Sequence, residues 1–183
     1  MSAGSVLVGD NAAFGTGTVV FSGGKIASDS ATARTLANAL TLSGGLSLGD
    51  GTNTGALTLS GAAALSAATT LTVLSDVTMS GVVSGAFDLT KAGSAELTLS
   101  GVNTYSGTTQ INAGVLSLNN SGGNALLDTG LVNLANAASV YVYLRDRADF
   151  AAMNEVYRAA FPKDRPARTT VVVEALAHPE AVV

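Results

Sequence analysis

Leu89–Leu118 reads LTKAGSAELTLSGVNTYSGTTQINAGVLSL. It holds short apolar-polar-apolar triplets, Leu97-Thr98-Leu99 and Val115-Leu116-Ser117-Leu118, parted by turns rich in Gly, Ser and Asn. The alternation has the period of a strand with one buried face, and the turn residues tolerate positive φ or hydrogen-bond their own backbone. A single strand of this length cannot bury a core, so copies must stack, and the stretch predicts a repeat architecture.

Working outward toward the N-terminus, the same wording continues. Val6-Leu7-Val8, Val19-Val20-Phe21, Leu40-Thr41-Leu42, Leu46-Ser47-Leu48, Leu57-Thr58-Leu59, Leu71-Thr72-Val73, Val77-Thr78-Met79 and Phe87-Asp88-Leu89 are further triplets, many spaced near 10 or 11 residues. Such spacing predicts a solenoid coil of roughly 20 residues carrying two or three strands. Residues 60–70 (SGAAALSAATT) contain enough alanine for a helix in isolation, but Gly61, Thr69 and Thr70 interrupt one, so strand is the reading. Residues 32–40 (TARTLANAL) leave a short helix open as an alternative.

Composition bounds the function classes. The 183 residues suit one or two domains, and 47% apolar content is ample for a core. Only 12% of residues are charged, so Ser, Thr, Asn and Gly must supply much of the wet surface. A formal charge of −4 with no basic block argues against a nucleic-acid partner. The absence of cysteine removes disulfides and thiolate metal sites, which fits a chain that crosses membranes unfolded. The opening Met-Ser-Ala-Gly-Ser has no signal-peptide pattern, and no apolar run of about 18 residues is present to span a bilayer.

Toward the C-terminus the vocabulary changes near Ala138. All 21 glycines lie at or before Gly130, whereas Pro162, Pro166 and Pro179 all lie after it. Six of the nine Lys and Arg residues also fall after Ala138. The chain therefore divides into a repeat region, 1–138, and a second segment, 139–183. In the second, Val140–Leu144 alternates as a strand. Phe150, Met153, Tyr157 and Ala160 then follow at helical spacing, with Asp146 as N-cap, Asp149 in the first turn, and Pro162 as the stop. Thr169–Glu174 reads as a second strand. The expected fold class is mainly β: a β-solenoid with a short C-terminal α+β, strand-helix-strand, segment.

Two resemblances accompany these patterns. Leu-Thr-Lys-Ala-Gly from Leu89, Leu-Thr-Leu-Ser-Gly from Leu97, Asn103-Thr104-Tyr105-Ser106-Gly107-Thr108-Thr109 and Ala113-Gly114-Val115-Leu116 resemble the passenger-associated strand repeat of bacterial autotransporters. That resemblance implies a right-handed parallel β-helix on the cell surface. Val142-Tyr143-Leu144-Arg145-Asp146, the stretch from Asp149 to Tyr157, and Pro166-Ala167-Arg168-Thr169-Thr170-Val171 resemble the C-terminal third of the RidA (YjgF) family of imine deaminases. This second resemblance implies trimers with sites between subunits, and Arg168 as the residue holding a substrate carboxylate, work suited to a planar bidentate donor. The family's N-terminal half has no counterpart here. The chain also stops about where the family's closing strand, with its glutamate, would begin. Phe21-Ser22-Gly23-Gly24 matches a family segment only at the level of chance.

Other candidate chemistry has a plainer reading. His178 is the only histidine, so neither a histidine metal cluster nor a triad can be drawn. Gly23-Gly24-Lys25 lacks the upstream glycine of a phosphate loop, since Val19 stands there. Asp50-Gly51-Thr52-Asn53 has oxygen ligands for a hard cation but no second Asp or terminal Glu, so a plain turn is favoured. Asn119-Asn120-Ser121 is formally a glycosylation sequon that fits a turn or an asparagine ladder. Tyr105 and Phe87 fit packing better than a ligand site.

The expected function is non-enzymatic: an extracellular or cell-surface structural or adhesive segment with no cofactor and no metal. Its expected partners are a surface receptor or further copies joined through the solenoid ends, where unpaired strand groups invite another chain. The tail is expected to cap that end. The alternative is an imine or enamine deaminase with Arg168 on the substrate, whose site is incomplete and which would require a trimer. A third alternative is an artificial or frameshifted fusion whose tail has no evolved task.

Overall fold

A computed structural model describes residues 1–119, 132–133, 139–144, 150–151, 154–155, 158 and 167–172. The triplets form rungs of a parallel β-solenoid of about six turns. One run of rungs contains β1 (Ser5–Val8), β3 (Lys25–Ser28), the later part of β5 (Leu40–Leu48) and that of β7 (Ala63–Val73). It continues through β10 (Leu89–Ala92), β12 (Thr109–Ile111) and β14 (Val132–Asn133). The early halves of β5 and β7 pair with β2 (Val19–Phe21) and β9 (Val83–Ser84), and a register shift between Leu42 and Gly44 separates the two halves. A second sheet stacks β4 (Arg34–Leu36), β6 (Leu57–Leu59), β8 (Val77–Met79), β11 (Glu96–Leu99) and β13 (Val115–Leu118). Every pairing is parallel, and from Leu57 to Val77 to Leu97 the register advances twenty residues per rung.

That register turns sequence alternation into continuous columns. Leu36, Leu59, Met79 and Leu99 succeed one another up the second sheet, and Leu57, Val77 and Leu97 form the neighbouring column; all are essentially inaccessible. Ile26, Leu48 and Val73 form a third column from the first sheet. Each buried Leu or Val contributes roughly 1.5–3 kcal/mol of transfer free energy. The intervening threonines face outward. Residues 60–70 enter strand β7, and 32–40 form β4 flanked by irregular backbone, so neither becomes a helix. The Phe87-Asp88-Leu89 triplet is not a strand: β10 begins at Leu89, and Phe87 lies half exposed at the preceding corner.

The corner after the second sheet explains the recurring Ser-Gly. Gly61, Gly81 and Gly101 stack there, and a Cβ on Gly81 would lie 2.1 Å from the Gly61 carbonyl oxygen. Close approach of successive backbones, rather than positive φ, demands glycine at this position.

At the N-terminal end the chain covers the β4 edge of the second sheet, while β1 is the terminal strand of the first. The loop over residues 10–17 lies beside β4, where Asn11 Oδ1 accepts the Thr35 N–H at 3.0 Å. Asn38 Nδ2 donates to the carbonyls of Gly15 and Gly17, and Phe14 packs against the core. Edge groups that would otherwise be open to another strand are thereby partly occupied.

The interior is not wholly apolar. Lys91 takes the inward position that Leu46 and Leu71 occupy in earlier rungs, and it is fully buried. Its aliphatic stem continues the column while Nζ donates to the carbonyls of Ala92 (3.2 Å), Gly93 (2.8 Å) and Ala113 (2.9 Å). The ammonium thus ties one coil's corner to the next, and desolvation lowers its pKa from 10.5. In the following coil Asn103 Oδ1 accepts the Val83 N–H at 2.8 Å, and buried Tyr105 shares a 2.7 Å hydrogen bond with Thr109.

In the tail, β15 (Ser139–Leu144) and β16 (Ala167–Val172) form a parallel two-stranded sheet. Phe150, Ala151, Asn154, Glu155 and Arg158 have helical backbone. Asp146, Asp149, Met153, Tyr157, Ala160 and Pro162, on which the helix reading also rests, lie outside the described residues.

Two measurements check this packing. Gly81→Ala is expected to lower stability by about 1–3 kcal/mol through overpacking, whereas Gly45→Ala, whose added Cβ meets nothing within 4 Å, is expected to stay within ~0.5 kcal/mol. Urea unfolding midpoints read both. Lys91→Met should cost about 1–3 kcal/mol by stranding buried carbonyls. The pH dependence has a defined sign: the unfolded chain holds the Lys91 proton up to about 10.5 and the folded chain releases it earlier. Wild-type stability relative to Lys91→Met should therefore rise as pH climbs through that window and stay flat below it.

Candidate functional site

The outward rows are the chemistry that the solenoid offers to solvent. Thr35, Thr58, Thr78, Thr98 and Ser117 are register partners in succession along the second sheet. Rungs in such a ladder lie about 4.7–4.9 Å apart, so the hydroxyls form one evenly spaced line. Two residues further along the chain, Ser60, Ser80 and Ser100 start a second line, their amides bonded back to Leu36, Leu59 and Met79 of the preceding rung. The first sheet carries Thr70, Thr90 and Gln110 in register. These rows hold no ionised group.

Charge sits at the margins. Glu96 Oε1 accepts hydrogen bonds from both Thr98 and Ser117. Arg34 pairs with Asp29 at 2.9 Å, and this hydrogen bond holds the Asp29 carboxyl below 3.8. Lys25 pairs with Asp50 and lowers that carboxyl's pKa in the same way. Asp50 Oδ1 also accepts the Thr52 N–H at 2.8 Å, so its oxygens are engaged in a turn and an ion pair. The cation-loop geometry weighed for Asp50 to Asn53 is therefore replaced by an Asx turn. Among the described residues no group of three or more His, Asp or Glu side chains converges as metal ligands.

The other candidates fall into place individually. Lys25 of the Gly-Gly-Lys stretch is the Asp50 partner and approaches no phosphate cradle. Tyr105 is core, with its hydroxyl on Thr109, while Phe87 is a half-exposed corner residue. Asn119 ends the second sheet by donating its amide to the Leu99 carbonyl, and Asn120 and Ser121 lie outside the described residues. His178 also lies outside them. Arg168 stands on β16 opposite Val140 in the tail sheet. No described residue from the solenoid pairs with that strand.

Sequence reasoning passed over Lys91 and Asn103 as buried polar groups that bond one coil to the next. The signal for Lys91 was available: a lysine occupies the inward phase of Leu89-Thr90-Lys91, where alternation calls for an apolar residue. The continuous threonine line was hidden by variable corner lengths, since the step from Arg34 to Leu57 is longer than the next two.

Comparison with known proteins finds two separate family matches along the chain. Residues 89–118 match the passenger-associated-transport-repeat family, and residues 123–183 match the family described as endoribonuclease L-PSP. A RutC family protein of Pyrococcus horikoshii is 44% identical over 52 residues, covering 28% of this chain and 41% of that protein. The 3-aminoacrylate deaminase RutC of Acinetobacter baylyi is 46% identical over 43 residues, 24% of this chain and 33% of the relative. The mitochondrial protein mmf2 of Schizosaccharomyces pombe is 51% identical over 39 residues, 21% of this chain and 31% of its own length. The chain thus spans well under half the length of these curated relatives. No solved structure gives a significant match. The chain joins a passenger-type β-solenoid repeat to a partial segment similar to the RidA and RutC proteins.

Proposed function

We propose that the chain serves as a non-enzymatic structural or adhesive segment of an autotransporter-like protein at the bacterial cell surface. The observation that carries this reading is the placement of the passenger-type repeat, 89–118. It forms rungs β10 to β13, in register with the solenoid that precedes it. Presentation is the mechanism. Stacked backbones make a stiff rod, and uncharged hydroxyl lines spaced by the rung repeat supply many weak contacts to a surface partner.

A second reading is an enamine or imine deaminase built on the tail. The match of residues 123–183 and the deaminase among the relatives favour it. In that reading Arg168 forms a bidentate pair with the substrate carboxylate, and the assembly is a trimer.

One pair of experiments separates the two. The chain is joined to a secretion signal and a translocator barrel, and intact cells are probed with antibody and external protease. The surface reading expects the solenoid outside the cell and folded; retention inside overturns it. In parallel the purified chain is given 3-aminoacrylate. The surface reading expects ammonia release no faster than with Arg168→Ala. A rate at least tenfold above that variant, carried by a trimer in light scattering, would establish the deaminase reading instead.

A further inference from the structure

The last rung of the second sheet is anomalous. Leu118 continues the column of Leu36, Leu59, Met79 and Leu99, yet it is 44% exposed where Leu99 is fully buried. Val115 is 54% exposed at the other end of the strand. Asn119 donates its amide back to Leu99, so by the alternation of a parallel ladder Leu116 and Leu118 present their N–H and C=O groups to the far side. Among the described residues nothing pairs with that side. A strand edge with half-covered leucines beside it is a surface shaped for one more rung.

The first sheet does not stop there: β14 adds a rung beyond β12, with Thr109 opposite Val132. In the preceding coils the second-sheet strand starts seven residues after its first-sheet partner, β10 to β11, or six, β12 to β13. Seven residues after Val132 is Ser139, the first residue of β15. The next strand of the chain therefore begins where the missing rung is due. Its phase also fits. Leu97 follows Leu89 by eight residues and Leu116 follows Thr109 by seven, so the positions due after Val132 are Ser139 and Val140, and of the two only Val140 keeps the apolar alternation in phase. Val140 and Val142 then fall at the register positions opposite Leu116 and Leu118, and a slip of one residue would put a tyrosine at those positions instead.

We infer that β15 docks in parallel on the free edge of β13, with Leu116 opposite Val140 and Leu118 opposite Val142. The β15–β16 pair then extends the second sheet by two strands. Among the described residues β15 pairs through one edge only, with β16. The tail sheet is thereby a continuation of the solenoid ladder that closes its C-terminal end. The inference rests on strand register alone and stands whichever function holds.

Because the chain contains no cysteine, the register can be tested directly. Ser117→Cys combined with Tyr141→Cys places two thiols on adjacent in-register strands, within the Cα separation that a disulfide spans. Mild oxidation of the full chain should give an intramolecular disulfide in most molecules, whereas Thr78→Cys with Tyr141→Cys, several rungs apart, should give none. In the unaltered chain, amide exchange followed by NMR should show Leu116 and Leu118 within about tenfold of the Leu97 rate. Exchange of those two amides at open-strand rates would overturn the proposal. So would disulfides that form only between chains, which would make a second copy the occupant.

Discussion

Every rung of the solenoid is bonded to its neighbours through backbone groups, and that ladder imposes an advance along the sequence. About twenty residues carry the chain once around, from 19 between Leu97 and Leu116 to 25 between Gly44 and Thr69, and each step returns it to the same phase. A change of one residue inside a strand would turn its leucines outward, so length variation falls in corners and at the two-residue register shift between the halves of β5 and β7. The step from β4 to β6 is longer than those above it, and the extra residues fall in the corner containing Gly55. Where corners stack tightly, the carbonyl of one coil occupies the space where the next would place a Cβ. The glycines of the Leu-Ser-Gly corners follow from the same ladder that sets the leucine columns.

Stacking a narrow coil leaves few places for polar backbone groups, and the repeat at residues 89–118 meets this with side chains. Beyond β9, the chain around Asn103 does not form a strand. Asn103 supplies the acceptor that a strand carbonyl would have offered to Val83, while the Thr104 and Ser106 amides keep bonding to β9 and its corner. Lys91 fills a leucine position with methylenes and spends its charge on three carbonyls at the adjoining corner. Tyr105 fills the volume left by the missing strand, and its hydroxyl finds Thr109. These groups occupy two successive coils, so they tie the repeat together across rungs.

The architecture was legible because alternation and turn chemistry report directly on a fold whose contacts recur at one interval. Leu97-Thr98-Leu99 and Leu57-Thr58-Leu59 state both their strand and their buried face. Phe87-Asp88-Leu89 shows the limit, since a triplet at a corner has the same letters as one in a rung. Register was not legible: nothing local to Thr35 says that it is followed by Thr58, because the corner length between them is a tertiary matter. Lys91 was missed for a related reason. A lysine inside a strand reads as a solvated side chain until the surrounding carbonyls are located. Of the candidate site, Arg168 was identified through wording alone, and the structure adds its strand position opposite Val140.

The two ends of the solenoid face the same physical demand, since each terminal strand leaves one row of backbone groups without a neighbouring rung. At the beginning, residues 10–17 lie against the edge of β4 through Asn11, the carbonyls of Gly15 and Gly17, and Phe14. At the far end the vocabulary changes within a few residues of β14, glycine disappears, and strands rich in β-branched and aromatic residues begin. A parallel ladder accepts any strand that arrives in the right phase, whatever its origin. The ladder does not require the tail to be a repeat, only that β15 begin one corner after β14, and the chain meets that condition at Ser139. The match to the second family begins at residue 123 and so includes β14, a strand that already pairs with the solenoid rung β12.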